Sequence, residues 1–176
     1  WSMAQLSQSV FDVSAVAKGN KVLFAGGGDL SLGIESDWVD IYNTDTEEWT
    51  TDLLSEPRAG MGAAVVGDVA LFAGGNAFSN KTVTDKVDIY NFSTGEWSMT
   101  RLSEARFGVT AVTLGDKVFF AGGELANGEL SNRIDIYDYT TNTWAIDSLS
   151  VARAFAGVGT ICDKVYFVGG MRINPQ

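Results

Sequence analysis

The sequence predicts an all-β chain built from a repeated four-stranded unit, and two observations predict this fold class. First, tryptophans and double glycines recur together at intervals of 48, 48 and 47 residues. These markers are Trp1, Trp49, Trp97 and Trp144, with Gly26-Gly27, Gly74-Gly75, Gly122-Gly123 and Gly169-Gly170. Second, the segments between the markers are short apolar or alternating runs bounded by turn residues, without helical periodicity. Markers that keep one phase along the whole chain indicate a tandem repeat.

The second unit contains four predicted strands in order. Small apolar residues over 61–66 predict a first strand, and Gly67-Asp68 a turn. An apolar run over 69–73 predicts a second strand that ends at the double glycine. After a polar loop, alternation over 86–90 predicts a third strand, and a turn then leads to a fourth over 96–99.

Four-stranded units of this length in tandem are typical of the blades of a β-propeller. Each twisted sheet has two apolar faces, and a neighbour on each side buries both. The first strand of each blade should line the crowded centre, where small residues are needed. The residues that meet this need are Gly60, Gly62, Ala63, Gly108, Ala111, Ala156 and Gly157.

The order of markers within each unit resembles the kelch repeat. The pattern is an arginine, an apolar strand, a double glycine, Asp-x-Tyr and a tryptophan. It runs Arg58…Gly74-Gly75…Asp88-Ile89-Tyr90…Trp97, and again Arg106…Gly122-Gly123…Asp135-Ile136-Tyr137…Trp144. The first unit keeps Asp40-Ile41-Tyr42 but has Val10 in place of the arginine. The resemblance covers essentially the whole chain and implies a kelch-type propeller.

The unit boundaries predict one kelch propeller segment over 1–176. Complete blades are expected at about 10–52, 58–100 and 106–147, and partial blades at 1–6 and 153–176. Kelch-like propellers have five to seven blades, which takes roughly 240–340 residues at this period. We therefore expect an incomplete segment of a larger propeller or one part of an assembly, with a four-bladed ring as the alternative.

Composition and charge exclude several classes of function. The chain has no histidine and one cysteine, so it has no Ser-His-Asp triad, no His-liganded metal and no internal disulfide. Its net charge of −10 argues against nucleic-acid binding. No apolar stretch is long enough to span a membrane, and no cofactor, metal or catalytic site is predicted. The compartment is not determined, although similarity to long kelch arrays favours a secreted or surface location.

Positions that recur in every unit are best explained by the blade itself. The double glycines are expected to hold special backbone conformations, and the tryptophans and tyrosines to fill the space between blades. Arg58, Arg106 and Arg153 are expected to make structural salt bridges or hydrogen bonds, with an anion-binding ring as the alternative. Cys162 takes the place of a turn glycine, so we expect it to be exposed or half exposed.

Positions that differ between units are free to carry function. Trp38 corresponds to Lys86 and Arg133, which predicts a partly exposed tryptophan and a potential interaction hot spot. The loops after the double glycines vary most, and variable loops on a rigid scaffold usually carry binding. The resemblance implies that the face carrying these loops binds partner proteins. The partner-binding candidates are Trp38, Asp37, Leu32, Glu35, Phe78, Asn80, Lys81, Leu125, Asn127, Glu129 and Arg133.

These features predict a non-enzymatic scaffold that binds a protein partner through its variable loops. The alternative is carbohydrate binding, or a structural role in a surface assembly, which exposed aromatic residues beside Asp and Asn would support. A third interpretation is a sugar-active kelch enzyme that uses Glu, Asp and Arg as acids and bases. No carboxylate pair stands out from the repeat to support that chemistry.

Overall fold

The fold is all-β, as the sequence predicts. A computed structural model describes residues 3–29, 32–77, 79 and 82–172, and these residues contain strands, turns and no helix. They form three four-stranded antiparallel sheets followed by a two-stranded hairpin. Closure of a ring is not seen in the described strands.

Eighteen strands are present in the described residues. The first sheet contains β1 (Ser14–Lys18), β2 (Lys21–Ala25), β5 (Trp38–Asn43) and β6 (Glu48–Leu53). The second contains β7 (Gly62–Val66), β8 (Val69–Ala73), β11 (Lys86–Asn91) and β12 (Trp97–Arg101). The third contains β13 (Thr110–Leu114), β14 (Lys117–Ala121), β15 (Arg133–Asp138) and β16 (Thr143–Ser148). The hairpin consists of β17 (Gly157–Ile161) and β18 (Lys164–Val168).

Short ribbons occupy two of the variable loops, which the sequence predicted only as polar loops. One ribbon pairs β3 (Gly28–Asp29) with β4 (Ile34–Glu35), and the other pairs β9 (Asn76–Ala77) with β10 (Thr82–Val83). The third loop has a single bridge between Glu124 and Leu130 instead. Two-residue pairs lack the alternating apolar run that identifies a strand in a sequence.

The sheets are arranged so that their first strands meet. Strand β7 lies between β1 and β13, and β13 in turn contacts β17. The approach is close, because a Cβ atom added at Gly62 would lie 2.9 Å from the carbonyl oxygen of Val109. The small residue predicted at this position is therefore required by space, as expected for the inner strands of kelch-type blades.

The hydrophobic core lies between successive sheets. Leu23 and Val39 of the first sheet pack against Phe72 and Tyr90 of the second, and a matching cluster joins the second sheet to the third. Trp97 packs at the edge of the first cluster, with its ring 6.0 Å from Phe72 and 5.0 Å from Tyr90. The predicted role of the recurring aromatic residues, filling the space between sheets, is confirmed at this interface.

The double glycines join each sheet to the next one. The amide of Gly74 donates to the Lys86 carbonyl at 2.9 Å, and that of Gly75 donates to the Arg106 carbonyl at 2.9 Å. Both have positive φ, and a Cβ atom on Gly74 would lie 2.3 Å from the Arg106 carbonyl oxygen. Conformation and close approach together demand glycine here.

Candidate functional site

One end of the sheets carries both the links between units and the variable loops. In the second sheet, Gly62 at the start of β7 pairs with Ala73 at the end of β8, and Lys86 at the start of β11 pairs with Arg101 at the end of β12. The link before β7 and the loop after β8 therefore leave from the same end. We call this end the loop face; the opposite end carries short turns such as Gly67-Asp68.

A buried ion pair fixes the link of the second unit. The Arg58 guanidinium lies 2.8 Å from the Asp88 carboxylate, and their side chains are 1% and 5% exposed. Arg58 also donates to the carbonyl of Phe72 at 3.1 Å. Ser55 donates its amide and hydroxyl to the same Asp88 oxygen at 3.2 and 3.0 Å. The link is therefore held against the third strand of its own sheet.

The third unit repeats this arrangement. Arg106 pairs with Asp135 and donates to the Gly122 and Arg133 carbonyls at 2.6 and 2.8 Å. Burial lowers the pKa of Arg106, against the opposing effect of Asp135 and Glu104. Because Arg58 and Arg106 are buried and paired inside their own sheets, their geometry fits the structural role and not an anion-binding ring.

A second, more exposed pair lies on the loop face of each of these two units. Lys86 lies 2.7 Å from Glu56, and Arg133 lies 3.7 Å from Glu104. Burial acts to raise the pKa of Glu56, but hydrogen bonds from Lys86 and Thr84, together with the positive charges of Lys86 and Arg58, lower that pKa below its ordinary value. In the second and third units, the loop face therefore carries an acidic and a basic side chain that neutralise each other.

The first unit has lost all of these charges except the aspartate. Gln8 stands at the position of Glu56, Val10 at that of Arg58, and Trp38 at that of Lys86. The serine–aspartate contact of the other units is kept, because Ser7 donates its amide and hydroxyl to the Asp40 carboxylate at 3.1 and 2.9 Å. Gln8 likewise keeps a 2.6 Å hydrogen bond from the Ser36 hydroxyl. The first unit therefore keeps the backbone arrangement of the other two but has a neutral, more apolar loop face.

A cleft of about 250 Å³ opens in this altered region, and we call it the first-unit cleft. Leu32 and Ile34 on its rim are 67% and 51% exposed. Its lining comprises Gln8, Ser9, Val10, Asp29, Leu32, Ile34, Glu35 and Ser36. The corresponding space in the second unit contains Glu56 and Arg58 and is smaller, about 180 Å³.

Four of the predicted site residues lie in or next to the first-unit cleft. Leu32 and Glu35 line it, and Asp37 and Trp38 follow directly on the chain. Trp38 is 39% exposed at the start of β5, in agreement with the partial exposure expected from its polar counterparts. Glu35 also accepts the amide and hydroxyl of Ser79 at 3.0 and 2.7 Å, so its carboxylate joins two neighbouring ribbons.

The other predicted residues form a separate group or cannot be placed. Leu125, Asn127, Glu129 and Arg133 lie on the third unit, where the Asn127 amide donates to Glu129 at 2.9 Å and closes a compact turn. Their role in binding stays a prediction. Phe78, Asn80 and Lys81 lie outside the described residues.

Three contributors to the altered surface were missed by sequence reasoning. Ile34 and Leu53 add exposed apolar area, and Gln8 removes the acidic partner of the residue at position 38. Comparison of residue 8 with residues 56 and 104 would have revealed Gln8. Leu53 lies opposite Trp38 on β6, a pairing that appears only when the strand register is known.

Neither a metal-ligand cluster nor a helix able to span a membrane occurs in the described residues. Across residues 3–29, 32–77, 79 and 82–172, no group of three or more His, Cys, Asp or Glu side chains is placed to hold a metal ion. No helix long and apolar enough to cross a membrane occurs in this same part of the chain.

Comparison with known proteins agrees with the geometry. Residues 105–146, which include most of the third sheet, match the kelch motif. No curated protein matches the chain. The kelch resemblance is thus confirmed: the third unit matches the kelch motif, and the second repeats its sheet order and its arginine–aspartate pair.

Proposed function

We propose that the chain is a non-enzymatic scaffold that binds a protein partner through the loop face of its first unit. The observation that carries this proposal is the coordinated replacement of Glu, Arg and Lys by Gln8, Val10 and Trp38. The fold tolerates the charged set in two other units, so the apolar set is not needed to build a blade.

The altered surface has the chemistry of a protein-binding site. Exposed Trp38 and Leu53 lie opposite each other on adjacent strands. The first-unit cleft, whose lining ends at Ser36 two residues before Trp38, has Leu32 and Ile34 on its rim. Partly exposed tryptophans flanked by apolar residues and a polar rim are typical of interaction hot spots. A partner with an apolar anchor residue would fill the cleft, and polar groups around Glu35 would surround the contact.

The test restores the charged pattern of the other units. A random peptide library is selected against the wild-type chain, and the enriched peptides are measured against the double variant Gln8→Glu/Trp38→Lys. We expect at least tenfold weaker binding, because the variant replaces the apolar anchor with a Lys–Glu pair like Lys86–Glu56. The matched control is Ile146→Lys, which adds a lysine at another exposed apolar site, on β16.

Two outcomes would contradict the proposal. One is equal binding of the selected peptides to the wild-type chain and the restored double variant. The other is loss of peptide binding in Ile146→Lys and the double variant alike, which would place the contact elsewhere. Glycan-array binding that depends on Trp38, without peptide binding, would favour carbohydrate recognition instead.

A further inference from the structure

A second cleft on the loop face lies where the first strands of the units begin. It has a volume of about 240 Å³, and we call it the axial cleft. It is lined by Asp12, Gly60, Met61, Gly108, Val109, Thr110, Phe155 and Ala156. These residues come from the three complete units and from the last partial one, whereas the first-unit cleft is lined by residues of the first unit only.

The same repeat position supplies four of these lining residues. Asp12, Gly60, Gly108 and Phe155 all have positive φ, between 53° and 66°. Glycine is the residue this backbone conformation favours, and two units use it. The side chains of Asp12 and Phe155 are therefore not needed by the blade, and they place a carboxylate and an aromatic ring in the cleft.

An unpaired acceptor lies beside the carboxylate. The Asn76 side-chain oxygen is buried and accepts no hydrogen bond, and the residue as a whole is 8% exposed. A Cβ atom built on Gly60 would lie 3.5 Å from this oxygen and 3.3 Å from a carboxylate oxygen of Asp12. Both atoms border one small space, and two acceptors cannot satisfy each other. In this orientation of its amide, Asn76 turns an acceptor towards the space, and a donor from outside the described residues would satisfy it.

The position of Asn76 is set by its backbone and not by its side chain. Its amide donates to the carbonyl of Ala59 at 2.9 Å, and its carbonyl accepts the amide of Ala59 at 3.0 Å. The corresponding residues of the other units are Gly28, Glu124 and Met171, so no blade function demands an amide here. Leaving a buried amide oxygen without a donor is costly, which points to a ligand as the missing partner.

The rest of the cleft defines the kind of donor. Met61, Val109 and Ala156 make an apolar wall, and Phe155 is 52% exposed with its ring edge-to-face on Phe107 at 5.9 Å. A planar cation on an apolar stem can donate to both oxygens and stack on an aromatic ring. A hard metal ion would need more oxygen ligands than the two found here.

We propose that the axial cleft binds a guanidinium group, supplied by an arginine side chain. The guanidinium would donate one N–H to Asp12 and another to Asn76, with its methylene stem along the apolar wall and Phe155. This site is separate from the first-unit cleft, and its test needs no protein partner, so failure of either proposal leaves the other standing.

The experiment titrates the whole chain with capped arginine, N-acetylarginine methylamide, and follows the side-chain amide signals of Asn76 by NMR. The uncharged control is the citrulline analogue, which has nearly the same shape. We expect saturable shifts of the Asn76 signals with capped arginine and at least tenfold weaker binding of the citrulline compound. Free arginine is titrated in parallel, and the tighter of the two arginine compounds identifies a peptide or the free amino acid as the natural source.

Asp12→Gly is the decisive variant, because glycine already occupies this position in two units and the fold accommodates it. We expect it to remain folded and to bind capped arginine about tenfold more weakly, as loss of a charge-assisted hydrogen bond predicts. The matched control is Asp116→Asn, which removes one negative charge at the opposite end of the sheets and should leave binding unchanged.

Three results would overturn the proposal. The first is no saturable shift of the Asn76 signals with either arginine compound. The second is equal binding of the citrulline analogue, which would remove the role of charge. The third is unchanged binding in Asp12→Gly, which would place any arginine contact outside the axial cleft.

Discussion

Trp38 and Trp97 show that one residue type has two different roles in this chain. Trp97 belongs to the recurring set, packs between the first and second sheets and donates its indole N–H to Asp52 at 2.8 Å. Trp38 stands at a position that is otherwise charged and is exposed on the loop face. Recurrence therefore identifies structural residues, and deviation identifies positions available for binding.

This difference predicts unequal costs of truncation. Trp97→Ala should lower the free energy of unfolding by about 3 kcal/mol, because it removes a core aromatic side chain and its hydrogen bond. Trp38→Ala should change it by less than about 0.5 kcal/mol, as for other surface substitutions. Urea denaturation of both variants measures the two values, and equal losses would show that comparison between repeats does not separate structure from function.

Cys162 has a backbone conformation that suits glycine. Its φ is 52°, and the corresponding residues Gly19, Gly67 and Gly115 have φ of 57°, 50° and 58°. The side chain is exposed, as its position in a predicted turn implied. A cysteine here carries backbone strain that the other units avoid.

Replacing this cysteine should therefore stabilise the chain. We expect Cys162→Gly to raise the free energy of unfolding by up to about 1 kcal/mol, and Gly115→Ala to lower it by about the same amount. The pair is well matched because no atom lies within 4 Å of a Cβ built on Gly115. The alanine therefore meets no neighbour, and its only cost is the positive φ of the backbone. Thermal unfolding checks both, and destabilisation by Cys162→Gly would mean that the thiol makes a contact of its own.

At the scale of the element, the aspartate on each third strand holds the link that precedes its sheet. Asp88 on β11 binds both Ser55 and the buried Arg58, whereas Asp40 on β5 binds Ser7 and has Val10 where the arginine would be. The same strand position therefore carries a buried ion pair in one sheet and hydrogen bonds alone in another. This contrast makes the two aspartates a natural comparison.

Neutralising the two aspartates should have different costs. Asp88→Asn leaves the Arg58 charge buried without its partner, so we expect a loss of about 3 kcal/mol or more in the free energy of unfolding. Asp40→Asn keeps an acceptor for Ser7 and strands no charge, so the loss should be about 1 kcal/mol or less. Chemical denaturation in urea provides both numbers, and a larger loss for Asp40→Asn would contradict the assigned role of the arginine.

At the scale of the whole molecule, the dominant electrostatic feature is the net charge of −10. The buried pairs Arg58–Asp88 and Arg106–Asp135 are shielded from salt, while the surplus acidic groups repel one another across the surface. An acidic surface also suits a cationic ligand such as the arginine side chain proposed for the axial cleft.

Salt should therefore stabilise the folded chain. Raising NaCl from about 0.02 to 0.2 M shortens the screening length from roughly 20 to 7 Å, which weakens the net repulsion more than the buried pairs. We expect the free energy of unfolding at pH 7 to rise by up to about 1 kcal/mol. Urea is the suitable denaturant because it adds no ions, and a steady fall in stability with salt would mean that exposed pairs such as Lys86–Glu56 outweigh the repulsion.

The sequence by itself determined the repeated four-stranded architecture and the division of residues into recurring and variable ones. The repeat period of the sequence predicts the number of strands, the positions of the turns and the small residues of β7, because each unit is subject to the same packing constraints. The exposure of Trp38 also followed from its charged counterparts Lys86 and Arg133. These properties are local or periodic, and a pattern in one chain can reveal them.

Only the tertiary structure decided which side chains meet. Three features join residues that are far apart in sequence. They are the pairing of Arg58 with Asp88, the grouping of Val10 with Leu32 and Ile34, and the approach of the Asn76 and Asp12 oxygens to one space at Gly60. Such contacts depend on strand register and on how one sheet lies against the next. Register and sheet packing recur from unit to unit, but the spacing of the markers does not reveal them. The two clefts are built from residues that depart from the repeat, so they could not be derived from the sequence alone.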